Sequence, residues 1–295
     1  MVDPRLAEKL NETYRRLQSE GRVPSRERLQ QYYRNFRERF GPDRLQALEG
    51  EALLEYMHAH GNRDSLVYWL EFKNDEEFPA IFGSIAGGAA HKFGVFRSAQ
   101  TGDWVTGPPQ NPQVITVEQA IEIARNHRAQ IIRGLALLRE LPENATDDDY
   151  RILQEQMDTE APDVSRLAWG HKYFSLLYPD KLDDYHAESF QRFHLVKLLQ
   201  VPPEGEGRYL CAGRFVAVAR ELDMPVNHLT TVLNHHNGRP HRYWRILANY
   251  RGQPDWQLWE SMRDGGFVAI GWAKLGDLSH LEANQVSKDQ LRALM

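Results

Sequence analysis

The sequence predicts an α+β fold: a mainly helical domain with a small β insertion, followed by a short segment that combines strands and a helix. Three observations predict it. Apolar residues recur at spacings of three and four through most of the first 235 residues, as on the buried face of helices. Glycine and aromatic residues concentrate between about residues 65 and 107. Gly, Pro and Asn then cluster at 234–242, where the helical pattern ends.

The first sixty residues predict three helices. Ser25 is a suitable N-cap for the second helix, and the third begins near Glu49. Each helix carries one apolar stripe. The stripes are Leu6, Leu10, Tyr14 and Leu17; Leu29, Tyr32, Tyr33, Phe36 and Phe40; and Leu53, Leu54, Tyr56 and Met57.

The segment that follows predicts the β insertion. The apolar run SLVYWLEF at 65–72 is either a buried strand or a short helix, because its periodicity does not decide between them. For the glycine-rich stretch at 76–109 we predict a β-hairpin or small sheet, with Thr101–Asp103 as the turn before Trp104.

Helices fill most of the rest of the first domain. A long helix is capped by Thr116 and ends at Leu141-Pro142. Further helices are predicted at about 150–157, 165–178, 187–200, 207–223 and 226–235. We place the domain boundary so that residues 1–238 form the helical domain and 239–295 the second segment. In that segment YWRIL and FVAIGW predict strands on either side of a helix from Asp255 to Arg263.

Composition narrows the class of protein. The net charge of −5 argues against a surface coated with basic residues, but a local basic groove remains compatible with it. The single cysteine, Cys211, excludes an internal disulfide and a multi-cysteine zinc site. No apolar run reaches the length of a membrane span, and the N-terminus lacks the layout of a signal peptide. We therefore expect a soluble cytoplasmic protein that does not contact membranes.

The glycine-rich segment at 82–94 does not form a phosphate-binding loop of the P-loop type. Gly83 and Gly88 have the required separation, but Ala89 stands where the motif needs lysine. Two interpretations remain for these glycines. They permit close approach of another strand, or of a nucleic-acid backbone near the basic residues His91, Lys92 and Arg97.

No catalytic signature is complete. Asp64, Glu71 and Lys73 resemble the two carboxylates and lysine of metal-dependent nucleases, but solvated charges beside a buried apolar run explain them better. The histidines offer no metal-ligand set: His235, His236 and His241 lack a cysteine or carboxylate nearby, and the pairing of His186 and His194 with Asp183 and Asp184 has no further support. We expect no catalytic residues, no metal and no cofactor.

Two stretches combine features that suit nucleic acid. Residues 165–199 are rich in aromatic and basic residues. The aromatic residues are typical of a hydrophobic core, and we predict that Lys172 and Arg192 contact phosphates. Residues 241–279 hold four of the seven tryptophans. Trp244 and Trp272 suit either a small β core or the walls of a cage around a flipped base. Asp277 and Ser279 suit hydrogen bonds to the edge of that base, or a helix or turn cap.

Three blocks of the chain resemble the region upstream of the motor in McrB-like AAA+ modification-dependent restriction proteins. They are FGSIAGGAAHKFGVFRSAQTGDWVTG (82–107), WGHKYFSLLYPDKLDDYH (169–186), and YWRI followed by GGFVAIGWAKLGDLS (243–279). The last block resembles the start of an EVE-like domain of the PUA-like superfamily, whose members bind modified bases flipped out of nucleic acid. The resemblance implies a module that recognises DNA with a methylated or otherwise modified base.

The same resemblance implies two partners that this sequence does not contain. One is a GTP-hydrolysing motor domain and the other, reached through that motor, is a McrC-like nuclease subunit. The chain has no Walker motif, and it stops at Met295, where an EVE-like domain is about half built. We therefore expect either the N-terminal part of a longer protein or a short member of the family.

Three functional hypotheses follow. The first is a non-enzymatic DNA-binding module that holds phosphates with basic residues and tests a base with Trp244, Trp272, Asp277 and Ser279. Its phosphate-binding residues are His91, Lys92, Arg97, Lys172 and Arg192. The second is a protein-interaction module of an anti-phage or AAA+ assembly, which does not bind DNA and exposes an apolar patch. The third is a small nuclease that uses Asp64, Glu71 and Lys73.

Overall fold

The structure is a computed structural model, and it describes residues 2–85, 90–98, 101–108, 111–240, 249–250, 253–254 and 256–265. The chain divides into two compact units, Met1–Pro240 and His241–Met295. The predicted boundary between residues 238 and 239 lies two residues before this division.

The first unit is mainly helical and contains one three-stranded antiparallel sheet, which confirms the α+β class. Its first five helices are α1 (Pro4–Ser19), α2 (Arg26–Phe40), α3 (Pro42–Gln46), α4 (Gly50–His58) and α5 (Leu66–Glu71). The run at 65–72 is thus a helix, α5, rather than a strand. Ser65 begins it, because the Ser65 side chain accepts a hydrogen bond from the backbone N–H of Tyr68.

The predicted β insertion is a small sheet. A 3-10 helix (Ala90–Phe93) leads into β1 (Val95–Arg97), which pairs with β2 (Trp104–Thr106), and β2 pairs with β3 (Gln113–Ile115). The register places Phe96 opposite Val105, and Val105 opposite Val114. A hairpin turn joins the first two strands at the predicted place. The third strand lies beyond the predicted insertion.

Seven helices complete the first unit. They are α6 (Val117–Glu140), α7 (Asp147–Glu160), α8 (Pro162–Ser165), α9 (Ala168–Leu177), α10 (Glu188–Lys197), α11 (Ala212–Glu221) and α12 (Val226–Asn237). Capping boxes start two of them. Thr116 and Gln119 exchange side-chain to backbone hydrogen bonds at α6, and Thr146 and Asp149 do the same at α7.

Two hydrophobic clusters hold the first unit together. The first cluster lies among α2 to α9 and the sheet, and it includes Phe36, Trp69 and Trp169. The second cluster lies among α1, α10, α11 and α12, and it includes Leu10 and Phe215. The segment 182–186 between α9 and α10 belongs to both clusters, because Leu182 lies in the first and Tyr185 in the second.

The described residues of the second unit form two strands and a helix. Two short antiparallel strands, β4 (Asn249–Tyr250) and β5 (Gln253–Pro254), precede helix α13 (Trp256–Gly265). The helix corresponds to the one predicted from Asp255 to Arg263. The predicted strands at 243–247 and 267–272 lie outside the described residues, and with them most of the segment that suggests a PUA-like barrel.

Candidate functional site

The four residues predicted to hold a base fall outside the described part of the chain. These residues are Trp244, Trp272, Asp277 and Ser279. The second unit shows two other tryptophans instead. Trp256 and Trp259 are exposed and lie three residues apart on α13, so their rings project from neighbouring positions on one side of the helix. The sequence pattern predicts the helix but no role for these two rings.

Lys172, one of the five predicted phosphate-binding residues, lies in the interior. Its ammonium group donates a hydrogen bond to the carbonyl oxygen of Leu70 at 2.8 Å. Burial lowers the pKa of Lys172 to about 8. The reason for the difference from expectation is that α9 is buried from Trp169 to Leu177, so the helix has no outer face for a basic side chain.

The other predicted phosphate-binding cations are held by acceptors of the protein itself. The Lys92 ammonium lies 2.7 Å from the Glu71 carboxylate and donates to the carbonyl of Ile85 at 2.7 Å. Arg97 donates to the carbonyl of Gly102 at 2.8 Å. Arg192 pairs with Glu188 in α10 and donates to the carbonyl of Pro203 at 3.0 Å.

The predicted residues do not share one open surface. His91 is half-buried on the 3-10 helix, and its Nδ1 has no hydrogen-bond partner among the described residues. Arg97 follows on β1, while Arg192 fixes the connection between α10 and α11. Lys92 and Lys172 both approach α5, because one pairs with Glu71 and the other bonds to the carbonyl of Leu70.

The three residues of the nuclease hypothesis do not come together in one site. Asp64 pairs with Arg39 at 2.7 Å, and Glu71 pairs with Lys92. Lys73 instead lies 3.1 Å from Asp75 and 3.3 Å from Glu77. Glu77 also pairs with Arg39 at 3.1 Å, so Asp64 and Lys73 belong to one network of ion pairs, whereas Glu71 lies between Lys92 and His60. The carboxylates of Asp64 and Glu71 therefore have different partners. Across the described residues no group of three or more His, Cys, Asp or Glu side chains is placed to hold a metal ion.

The segment 182–186 is a buried polar junction between the two hydrophobic clusters. Asp184 accepts hydrogen bonds from the Asn227 amide at 2.6 Å and from the Thr230 hydroxyl at 3.3 Å, both on α12. Asp183 accepts from the Gln191 amide and from the backbone N–H of Tyr185, both at 2.7 Å. Burial raises the pKa of Asp183 to about 7 and that of Asp184 to about 6.

Two histidines extend this polar junction toward the first cluster. His186 Nε2 lies 2.8 Å from the carbonyl oxygen of Phe82, so this nitrogen carries the proton and donates. His186 Nδ1 then accepts from His171 Nδ1 at 3.0 Å. Burial keeps both rings neutral by lowering their pKa values, that of His171 to about 3. The block at 169–186, which carries part of the McrB-like resemblance, is therefore mainly interior structure.

Helix α12 reaches from this junction to the surface along one side of α1. Asn227, near its start, donates to Asp184 and also to the carbonyl of Ile81 at 3.0 Å. One residue further, His228 Nδ1 lies 2.9 Å from the Tyr14 hydroxyl of α1. His235 follows His228 by seven residues, or two helical turns, and so faces the same way.

Two arginines lie beside His235, in the last turn of α12. Arg16 Nη2 and Arg22 Nη1 each lie 3.3 Å from the same atom, His235 Nε2. The two arginine side chains are 55% and 58% exposed, and both form long ion pairs with Glu20, at 3.9 and 3.7 Å. We name Arg16, Arg22 and His235 the terminal basic cluster. It offers two exposed cations that point at a single acceptor position.

The sequence does not predict the terminal basic cluster, because His235 is 219 and 213 residues from the two arginines. One signal was present. Residues 1–44 contain eleven Lys and Arg against seven Asp and Glu, although the whole chain is acidic. That local excess of arginine predicts a basic surface on α1 and α2, but it does not tell which arginines converge.

Comparisons with protein-family models, with curated proteins and with solved structures give no match. Within the described residues no helix is both long and apolar enough to cross a bilayer. The McrB-like resemblance and the DNA and McrC-like partners that it implies therefore stay predictions from the sequence.

Removal of the Asn227 side chain tests the junction. In Asn227→Ala, the buried Asp184 carboxylate and the Ile81 carbonyl both lose a donor, and we expect a free energy of unfolding lower by about 2–3 kcal/mol. Thr231→Ala is the matched control, because among the described residues its hydroxyl bonds only to a backbone carbonyl of the same helix. Urea denaturation measures both variants. Equal losses would contradict a special role for Asn227.

The buried histidines predict an acid-sensitive fold. Burial lowers the pKa of His127, His194 and His228 to about 4, against an ordinary value of about 6.5, and acts in the same direction on His171 and His186. The folded chain thus binds fewer protons than the unfolded chain between pH 4 and 6.5. The stability from these groups is complete above pH 6.5 and is lost as the pH falls toward 4.

The two buried aspartates act in the opposite direction. Their pKa values are raised, so the stability that they contribute is present at low pH and is lost as the pH rises through about 6 and 7. The histidines are more numerous. We therefore expect the urea midpoint to fall between pH 7 and pH 4.5, and a constant or rising midpoint would contradict this balance.

Proposed function

We propose that this chain is a DNA-binding target-recognition module of a modification-dependent, McrB-like restriction system. The observation that carries the proposal is the terminal basic cluster, where Arg16 and Arg22 converge at 3.3 Å on one nitrogen of His235. A phosphate oxygen that takes the place of this nitrogen receives donors from both guanidinium groups. Because the arginines are already exposed, phosphate binding desolvates no buried charge.

In this proposal the first unit binds the DNA backbone, and residues 239–295 recognise the base. Phosphate contacts carry most of the affinity and no sequence information, whereas base contacts supply specificity. His235 lies four residues before that segment in the chain. Trp244 and Trp272 stack on a flipped base, and Asp277 and Ser279 bond to its edge. A motor domain and a McrC-like subunit supply translocation and cleavage.

A second candidate function, protein interaction without DNA binding, is favoured by a different observation. Large aliphatic side chains are exposed at the end of α10 and just beyond it: Val196, Leu199 and Val201, the last two at 75% and 81%. Leu199 has a φ of 59°, which is unfavourable for a residue with a side chain. In this candidate function the three exposed aliphatic side chains form the docking surface.

A titration against duplex DNA separates the two functions. We expect the chain to bind an oligonucleotide duplex with a strong dependence on salt. Substitution of both arginines, Arg16→Ala with Arg22→Ala, lowers the slope of log K against log salt by about one, since both arginines contact the same phosphate and each phosphate contact contributes about one. Fluorescence anisotropy at several salt concentrations measures the slope.

The matched control removes two exposed arginines from another part of the first unit. Arg151 and Arg166 are about half-exposed or more and pair with Asp148 and Asp158, and Arg151→Ala with Arg166→Ala changes the net charge equally. If the salt slope fell as much in this control as in the variant without Arg16 and Arg22, the effect would come from net charge alone. That result would contradict the proposed site. Absence of binding at low salt would favour the protein-interaction candidate instead.

Base recognition has its own readout in the same assay. Duplexes with 5-methylcytosine, 5-hydroxymethylcytosine or N6-methyladenine are compared with the unmodified duplex. We expect one modified duplex to bind more tightly, and Trp272→Ala to remove that preference without changing the salt slope. Equal binding of all duplexes would contradict base readout while leaving the phosphate site intact.

A further inference from the structure

A cleft opens in the first unit where five segments meet, and neither of the two candidate functions uses it. Its walls come from the start of α2, the loop after α6, the connection between α9 and α10, the end of α11 and the start of α12. Its volume is about 420 Å³, within the usual range for ligand-binding clefts. We infer that this cleft binds a short peptide segment of a partner protein, with one aliphatic side chain flanked by residues of opposite charge.

The floor of the cleft is apolar. Val216, Ala219, Met224 and Val226 line it beside the ring of Tyr33, and each is less than a tenth exposed. These side chains are fixed by packing in the two hydrophobic clusters, so the floor exists before a ligand arrives. An aliphatic side chain that covers it gains the free energy of apolar burial without inducing a rearrangement.

The rim of the cleft carries charges of both signs. Its cations are Arg26, Lys181 and Arg220, and its carboxylates are Glu143, Asp180 and Asp223. The three cations and three carboxylates balance, so the rim has no net positive charge to attract a nucleic-acid backbone. A purely apolar ligand, in turn, leaves these charges without a counterpart. The chemistry that matches floor and rim together is a peptide with acidic and basic groups around an apolar residue.

Several of these charges are not neutralised by the protein. Arg220 donates to the side-chain oxygen of Asn144 at 2.6 Å and to the carbonyl of Glu143 at 2.8 Å, both neutral acceptors. Lys181 likewise donates to the carbonyls of Leu138 and Leu141, at 2.8 and 2.7 Å. These bonds hold the two cations in place without a counter-charge. Among the described residues, neither cation makes an ion pair, and neither do the side chains of Glu143 and Asp180.

Methionine NMR tests the inference directly, because Met224 is part of the floor. The full chain, labelled with ¹³C at its methionine methyl groups, is titrated with the blocked tripeptide acetyl-Glu-Leu-Lys-amide. We expect the Met224 resonance, assigned from Met224→Leu, to shift and saturate with a Kd of order 1 mM, as for a small ligand with few contacts. Met57 and Met157, buried in the first cluster, serve as internal references that do not move.

The charges of the peptide test the rim. Acetyl-Ser-Leu-Ser-amide and acetyl-Lys-Leu-Lys-amide lack one or both of the charge contacts, and we expect each to bind about fivefold more weakly. Gln30 is exposed at the wall of the cleft, so Gln30→Trp fills the opening and abolishes the Met224 shift. Gln18→Trp, at an exposed position of α1, is the matched control and leaves the shift unchanged.

Three results would overturn the inference. The first is a Met224 resonance that no tripeptide moves. The second is equal binding of the charged and uncharged tripeptides, because the rim would then contribute nothing. The third is a Met224 shift with duplex DNA that Gln30→Trp also removes, which would make the cleft a nucleic-acid site. The outcome does not depend on the terminal basic cluster, so the peptide-binding inference and the proposed DNA binding are tested independently.

Discussion

The fold depends on one buried carboxylate, that of Asp184, and on the donors that α12 supplies to it. A buried charge without donors is costly, so Asn227 and Thr230 must stay where they can reach it. Asn227 also bonds to the Ile81 carbonyl, and the neighbouring residues Leu182 and Tyr185 lie in the two hydrophobic clusters. This contact therefore fixes the position and rotation of α12 within the first unit.

The surface proposed to bind DNA follows from that interior constraint. Because the start of α12 is held in place, His228 contacts Tyr14 of α1. Two helical turns later, His235 contacts Arg16 and Arg22. The arginines converge because a rigid helix carries its register from the core to the surface. The position of α12 also shapes the cleft, since its first residue, Val226, is part of the cleft floor.

Local features of this fold could be predicted from the sequence, and contacts between distant residues could not. Stripes such as Leu10, Tyr14 and Leu17 predict helix faces because a helix repeats within a few residues. The predicted phosphate contact of Lys172 is wrong. The neighbouring residues predict a helix, but they do not show that α9 is buried on every side. Arg16 and His235 are 219 residues apart, and only the packing of α1 on α12 joins them.

Amide hydrogen exchange with and without a saturating duplex at low salt tests the central claim most directly. We predict slower exchange at the end of α1, around Arg16 to Arg22, and in the last turn of α12, around His235. We predict no comparable change around Lys92 or Arg192, whose cations are held within the protein. Protection confined to those two regions, with none at the ends of α1 and α12, would contradict the proposed site.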